Sequence, residues 1–265
     1  MTFWRRLLEG TSWQTLVGYV SPAFFQLVSP RDISRTAYRL ARNWFDDQTF
    51  RDVVQQRVNS IEPLSCGLSI VGLPRGRRNQ RPFHSEVLPP GGSDPRCRTG
   101  DKALILFFNQ IYSEGPVLLD LRRSHFFCEH SAIESNKRLV ATPLYCTWSP
   151  SFRSALRDLY AAFYGGASRD VYLAALSTLG IEAAEDAFER AFGGEKKTAA
   201  RFQLADFRAT FHEIFVRCLE ARRTLQPDFL TLGIAIATLY DHLELEGGTY
   251  NVTQCYSLAV GTSAT

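Results

Sequence analysis

The sequence predicts a mainly α-helical fold, and three observations carry that prediction. From Asp101 to Tyr112, the apolar residues Ala103, Leu104, Phe107, Phe108, Ile111 and Tyr112 recur at helical period, and Gly115-Pro116 ends the run, so a buried helix is expected there. From Ser149 onward, start and stop signals follow one another: Ser149-Pro150 opens a helix that Gly165-Gly166 ends, Ser168 caps one that stops at Gly180, and Ala183 to Phe192 runs into Gly193-Gly194. Finally, Phe202 to Leu225 places Phe207, Phe211, Ile214, Phe215, Cys218 and Leu219 on one face, and Pro227 opens a long helix through Leu243. Only Cys66 to Leu73, CGLSIVGL, reads as a β-type run upstream of the buried helix.

The composition is that of an ordinary globular chain. With 265 residues, 45% hydrophobic and 22% charged, it can bury a sizeable core as one large domain or two small ones. A net charge of +3 is too small to imply a nucleic-acid or acidic partner from the whole-protein field, so only local clusters can argue for one. The six cysteines (66, 97, 128, 146, 218, 255) form no C-x-x-C pair and have no histidine at ligand spacing, which reads as reduced, mostly buried thiols. No apolar run reaches the 18 or so residues of a membrane span, since Leu16 to Val28 is interrupted by Pro22 and Gln26.

In chain order, residues 1–31 carry Arg5, Arg6 and Arg31 against Glu9 alone, with Phe3, Trp4, Leu7, Leu8, Trp13, Leu16, Val17 and Val20 spaced for an amphipathic helix. Such a segment reads either as a mitochondrial presequence, which places the protein in that organelle rather than elsewhere inside the cell, or as a helix docked on the fold. Its Trp and Arg face also suits peripheral membrane contact. Residues 32–73 read as a helix, with Ile33, Ala37, Leu40, Ala41 and Trp44 inward, followed by the short strand. Residues 74–100 hold six Arg, five Pro and two acids, a composition that forbids regular structure and suits a surface loop. Within it Arg75, Arg77, Arg78 and Arg81 are interaction candidates, although nucleic acid is not favoured because Phe83 is the loop's one aromatic residue for stacking. The helical domain spans 101–246, and residues 247–265 form an irregular tail.

The stretch FNQIYSEGPVLLDLRRSH, 108–125, resembles a motif of the UbiB-type (aarF-domain) atypical kinases, roughly F-x-Q-I-x-x-x-G-F-F-H-A-D-P-H-P-G-N. In that alignment the catalytic Asp falls on Asp120, the preceding His on Leu118 and the metal-binding Asn on His125. The family's strand ending in L-D-F-G corresponds to Arg138 through Tyr145, which puts Pro143 where the second metal-binding Asp would stand. TLQPDFLTLGIAIATLYDHLEL resembles the family's late helix, so the likeness covers Asp101 to Leu245. It implies a kinase C-lobe-like helical domain, with 32–73 as a small remnant of a β-containing N-lobe.

The chemistry that such a fold would need is missing. No Lys precedes Lys102, no glycine-rich phosphate loop precedes the first helix, and the family's E-L-D-x-x-x-E-A pattern keeps only Asp32. Phosphoryl transfer depends on positioning and charge neutralisation, so these losses argue against ATP and magnesium binding. Asp120 is the best residual catalytic candidate, and it reads more readily as a structural partner of Arg122, Arg123 or a helix N-terminus. Its replacement by Asn in a non-catalytic protein is expected to change stability by only about 1 kcal/mol, as at most exposed positions. His125 with Glu129 and His130, His212-Glu213 and Asp241-His242 are weak clusters for metal or catalysis, and no G-x-S-x-G or H-E-x-x-H motif offers another enzyme.

The expectation is a non-catalytic, pseudokinase-like scaffold or interaction subunit of a larger complex, with no cofactor or metal. An active quinone- or lipid-supporting ATPase or kinase of the family, and a lipid-binding module, are the alternatives. Loss of the N-lobe is expected to uncover Leu118, Leu119, Leu121, Phe126 and Phe127 as an apolar patch for another protein subunit, rimmed by the arginine-rich loop.

Overall fold

A computed structural model describes residues 21–64, 66–73, 98–130, 135–192 and 198–261. The elements are α1 (Phe24–Leu27), α2 (Pro30–Asn43), α3 (Asp47–Ile61), β1 (Leu68–Gly72), α4 (Gly100–Tyr112), β2 (Val117–Leu118), β3 (Phe126–His130), β4 (Ser135–Ala141), β5 (Tyr145–Cys146), α5 (Pro150–Tyr164), α6 (Arg169–Leu179), α7 (Glu185–Phe192), α8 (Leu204–Glu220), α9 (Asp228–Glu246) and α10 (Val252–Val260). The protein is mainly helical with a small sheet, as the sequence predicts.

The 101–112 stripe forms the central helix. Every residue of α4 from Ala103 to Ile111 is buried, because α10, α9, α5, α3 and β2 surround it. Two polar residues in that buried run are matched rather than stranded. Gln110 Oε1 accepts from Leu118 N at 2.6 Å while its Nε2 donates to Leu118 O, and Asn109 Nδ2 donates to Ser60 O at 3.2 Å. One end of α4 carries an aromatic cluster in which the Phe108 ring meets Tyr160, Tyr164 and Tyr256 edge to face, and the Tyr112 and Tyr256 hydroxyls lie 2.7 Å apart.

Pro150 opens α5, but Ser149 makes no capping bond, because its hydroxyl donates to Asp228 Oδ2 at 2.8 Å. Ser168 accepts from Val171 N at α6, which Gly180 closes in the left-handed region at φ 76°. At α2 the cap is Ser29, which accepts from Asp32 N with Pro30 at the first turn, so the helix opens two residues before Asp32. Segment 32–73 holds a second helix, α3, which the sequence reading did not anticipate. Its V-V-x-x-x-V pattern is short, and its capping residue Asp46 follows Trp44-Phe45 without a Gly or Pro to mark the break.

The three-stranded sheet has order β1-β4-β3, with β1 parallel to β4 and β3 antiparallel to it; β2 and β5 form a separate antiparallel pair. The second half of β4 and the first residue of β5 fall in 138–145, the segment aligned with the family's metal-binding strand. The tail is not irregular: Asn251 caps α10 by accepting from Gln254 N, and Val252, Cys255, Tyr256 and Ala259 are buried against α4. A nine-residue helix with its apolar positions at i, i+3, i+4 and i+7 has helical period, which its uncharged composition disguised.

Cys66, Cys146, Cys218 and Cys255 are free thiols, and burial pushes Cys146 up to about 12. Cys128 is disulfide-bonded, which corrects the expectation of reduced thiols throughout; its partner lies outside the described residues. No described helix is long and apolar enough to cross a membrane.

Candidate functional site

The segment after α4 is the place to look for chemistry, because it carries Asp120 and is held by main-chain and side-chain bonds on both sides. Leu119 N donates to Leu144 O at 2.9 Å. On the other side, Thr238 Oγ1 of α9 accepts from Leu121 N at 3.1 Å and lies 2.7 Å from Leu119 O. His242, one turn further along α9, sits 2.9 Å from Leu121 O through Nδ1; a carbonyl only accepts, so that nitrogen carries the proton. The segment is thereby pinned between the 142–146 stretch and α9.

Asp120 is 4% exposed and its carboxylate is fully engaged. Arg122 grips it with Nε to Oδ1 at 2.8 Å and Nη2 to Oδ2 at 2.7 Å, a bidentate pair, and His125 Nε2 lies 3.0 Å from Oδ2. Thr142 Oγ1 is 3.4 Å from the same oxygen. Burial alone would raise this carboxyl, yet the charge and hydrogen bonds of Arg122 and His125 outweigh it and hold the group well below the usual carboxylate range. A carboxylate so disposed has little affinity for a proton and no free lone pair directed to solvent, which makes it a poor general base. Nearby Asp241 shifts the other way, raised by burial with Arg122 opposing.

A second buried node adjoins the first. Glu246, at the end of α9, accepts from Thr99 N at 2.8 Å, Thr99 Oγ1 at 2.9 Å, Gly100 N at 3.0 Å and Tyr250 hydroxyl at 3.1 Å, and pairs with Arg123 Nε at 3.1 Å. These donors include the first backbone N–H groups of α4, so Glu246 caps α4 across the fold. Burial pushes this carboxyl up, and the His242 and Thr99 interactions outweigh it, leaving it at about 2.

A third node lies at the opposite end of α4. Arg57 is fully buried; its Nη1 donates to Ser113 Oγ at 2.7 Å and its Nη2 to Glu114 O, while Arg153 donates to Ser113 O and Gly115 O, and Arg157 to Ile111 O and Tyr112 O. Three guanidiniums thus bind the last carbonyls of α4 and the turn after it, where the helix dipole is negative. Burial, then repulsion from Arg153, lowers Arg57 to about 10.

Several expected site residues are elsewhere. Leu118, Leu119, Leu121 and Phe126 are each 2% exposed or less, so the uncovered apolar patch does not exist at these positions. They are covered by α4 and by the inner face of α9, whose Thr238 and His242 were not visible as the other side of the same contact; Phe126 lies under the His242 ring at 4.7 Å. Phe127 is half-buried on β3. Arg75, Arg77, Arg78 and Arg81 lie outside the described residues. His212 lies beside Ser21, with its Nδ1 2.9 Å from Ser21 Oγ. Glu129 and His130 occupy the far end of β3, opposite Asn136 and Ser135. Among the described residues no group of three His, Cys, Asp or Glu is placed to hold a metal ion. An apolar cavity between α5, α6, α8 and α9, lined by Leu156, Phe163, Leu179, Ile181, Phe211 and Ile236 among others, measures about 20 Å³, against the roughly 300–1,000 Å³ of small-molecule sites.

Sequence reasoning missed the nodes around Glu246 and Arg57. For the first a signal exists: Thr238, His242 and Glu246 recur every four residues through a largely apolar helix, a polar line at helical period. For the second there is none, since Arg57 and Arg153 sit in separate amphipathic helices where an arginine ordinarily faces water.

Comparison with known proteins finds no family model, no curated protein and no solved structure that matches this chain.

Proposed function

We propose that this protein is a non-catalytic scaffold or interaction subunit with a pseudokinase-like arrangement, in which the position of a catalytic aspartate has become a structural ion pair. The observation that carries this reading is the capture of Asp120 by Arg122 and His125 within the core. A catalytic Asp of the kinase type must face substrate and stand near a second, metal-binding carboxylate. The kinase-like alignment draws support from one contact: Thr142, next to Pro143, touches Asp120, so the two segments that would form such a site are side by side with their chemistry replaced.

Membership of a larger complex draws its support from the arginine-rich composition of 74–98, since the apolar patch is buried. The arginine-bearing, acid-poor start is the support for a mitochondrial location. The lipid-binding alternative finds no room in the 156–236 cavity as it stands. The deciding experiment is a thermal-shift titration of the full chain with ATP or ADP, with and without magnesium. The expected result is an unchanged Tm. A magnesium-dependent rise would overturn the non-catalytic reading in favour of a rearranged, active site.

A further inference from the structure

We infer that the outer face of α2 is a docking surface for an anionic lipid bilayer, a role independent of the scaffold reading. The helix turns Thr36 and Leu40 into the core, with Trp44 following in the next turn, and leaves Arg31, Arg35, Tyr38, Arg39 and Arg42 exposed. At 100° per residue these five fall within a stripe about a quarter of the helix circumference wide. Phe45 continues the register through a hydrogen-bonded turn, Phe45 N to Arg42 O at 2.9 Å, and lands one heptad beyond Tyr38 on the same side.

Two features separate this stripe from an ordinary solvated face. One is charge: four guanidiniums stand against two acids, Asp32, paired with Arg35 at 3.1 Å, and Asp46, whose carboxyl is lowered by hydrogen bonds from Thr49 and by Arg42, whereas Arg169, Arg190 and Arg217 on α6, α7 and α8 are each matched in the Arg169–Glu185, Arg190–Asp186 and Arg217–Glu213 pairs. The other is the company they keep. Phe45 at 78% and Tyr38 at 70% are the two most exposed large apolar side chains among the described residues, and both are on this face.

The combination selects the partner. A phenylalanine has no polar atom to satisfy in water or against a phosphate, and it gains by entering an apolar medium, whereas arginine keeps its head among anions while its stem lies along apolar surface. A convex helix offering both along one line meets a flat sheet of anionic headgroups, with Tyr38 and Phe45 at the level of the headgroup and acyl boundary. No described helix spans a membrane, so contact of this kind is peripheral.

The test is flotation of the full chain with vesicles of phosphatidylcholine alone and of phosphatidylcholine with 30% phosphatidylserine, a chosen condition of roughly physiological anionic content. Binding is expected only to the anionic vesicles and is expected to weaken with salt. Removing one guanidinium should weaken it about fivefold, and Arg35→Gln with Arg42→Gln about 25-fold. Phe45→Ser should weaken it further at unchanged charge. All these positions are exposed, so the fold should be retained, with circular dichroism as the check. Arg201→Gln with Arg208→Gln, equal in charge on the exposed face of the 201–208 segment, should leave binding intact. Failure to float with anionic vesicles, equal binding to neutral ones, equal loss in the 201/208 control, or binding of a single-stranded oligonucleotide through the same residues in place of vesicles would each overturn the inference.

Discussion

Glu246 and Thr99 stand 147 residues apart in the chain and are joined by two hydrogen bonds to one oxygen, from the Thr99 backbone N–H at 2.8 Å and from its hydroxyl at 2.9 Å. Through them the last residue of α9 caps the first turn of the central helix, a task that local sequence usually performs. At the start of α4 the residue in the capping position, Thr99, makes no capping bond of its own, because its side chain is engaged by Glu246 and His242.

Glu246→Ala should therefore cost about 3 kcal/mol, since it strands several donors and the Arg123 guanidinium at once. The pH dependence has a definite sign. The folded carboxyl, at about 2, lies below its ordinary value of 4.5, so the stabilisation is complete above 4.5 and is lost as the pH falls towards 2. Urea unfolding at a series of pH values should show the wild type losing stability across that window, and the variant losing less.

Asp120→Asn is expected to destabilise by about 3 kcal/mol, because it leaves Arg122 buried without its counter-charge and removes the oxygen that His125 Nε2 approaches. This replaces the value of about 1 kcal/mol that an exposed aspartate would give. Denaturant titration distinguishes the two. A midpoint within error of wild type would mean that the ion pair contributes nothing.

Thr238→Val keeps shape and removes the hydroxyl that serves Leu121 N and Leu119 O. With both backbone groups buried, the expected loss is about 2 kcal/mol. Amide hydrogen exchange should locate the effect at residues 119–121, where protection falls faster than in α5.

Gly100→Ala should fail for a steric reason. A Cβ at this position would lie 2.5 Å from the Tyr250 ring, which is itself 2% exposed and hydrogen-bonded to Glu246. The expected penalty is about 2 kcal/mol as the ring is forced aside, and trimming the ring in a Gly100→Ala, Tyr250→Leu double variant should recover part of it.

What the sequence determined by itself is the helical architecture, because that information is local. The period of Ala103 to Tyr112, the Ser149-Pro150 and Ser168 starts and the Gly180 stop each depend on residues within a turn or two of one another. The buried fate of the 117–127 run was decided only in the tertiary structure. Its apolar residues look the same whether they await a partner subunit or are already covered by α9, and the covering helix lies more than a hundred residues downstream. The same holds for Asp120: proximity to Arg122 and His125, which depress its proton affinity, is written in the chain, but the contact with Thr142 and the burial that opposes those two groups depend on how the rest of the fold packs. Asp120, Glu246 and Arg57 thus acquire their roles from burial, which a sequence specifies only through the whole fold.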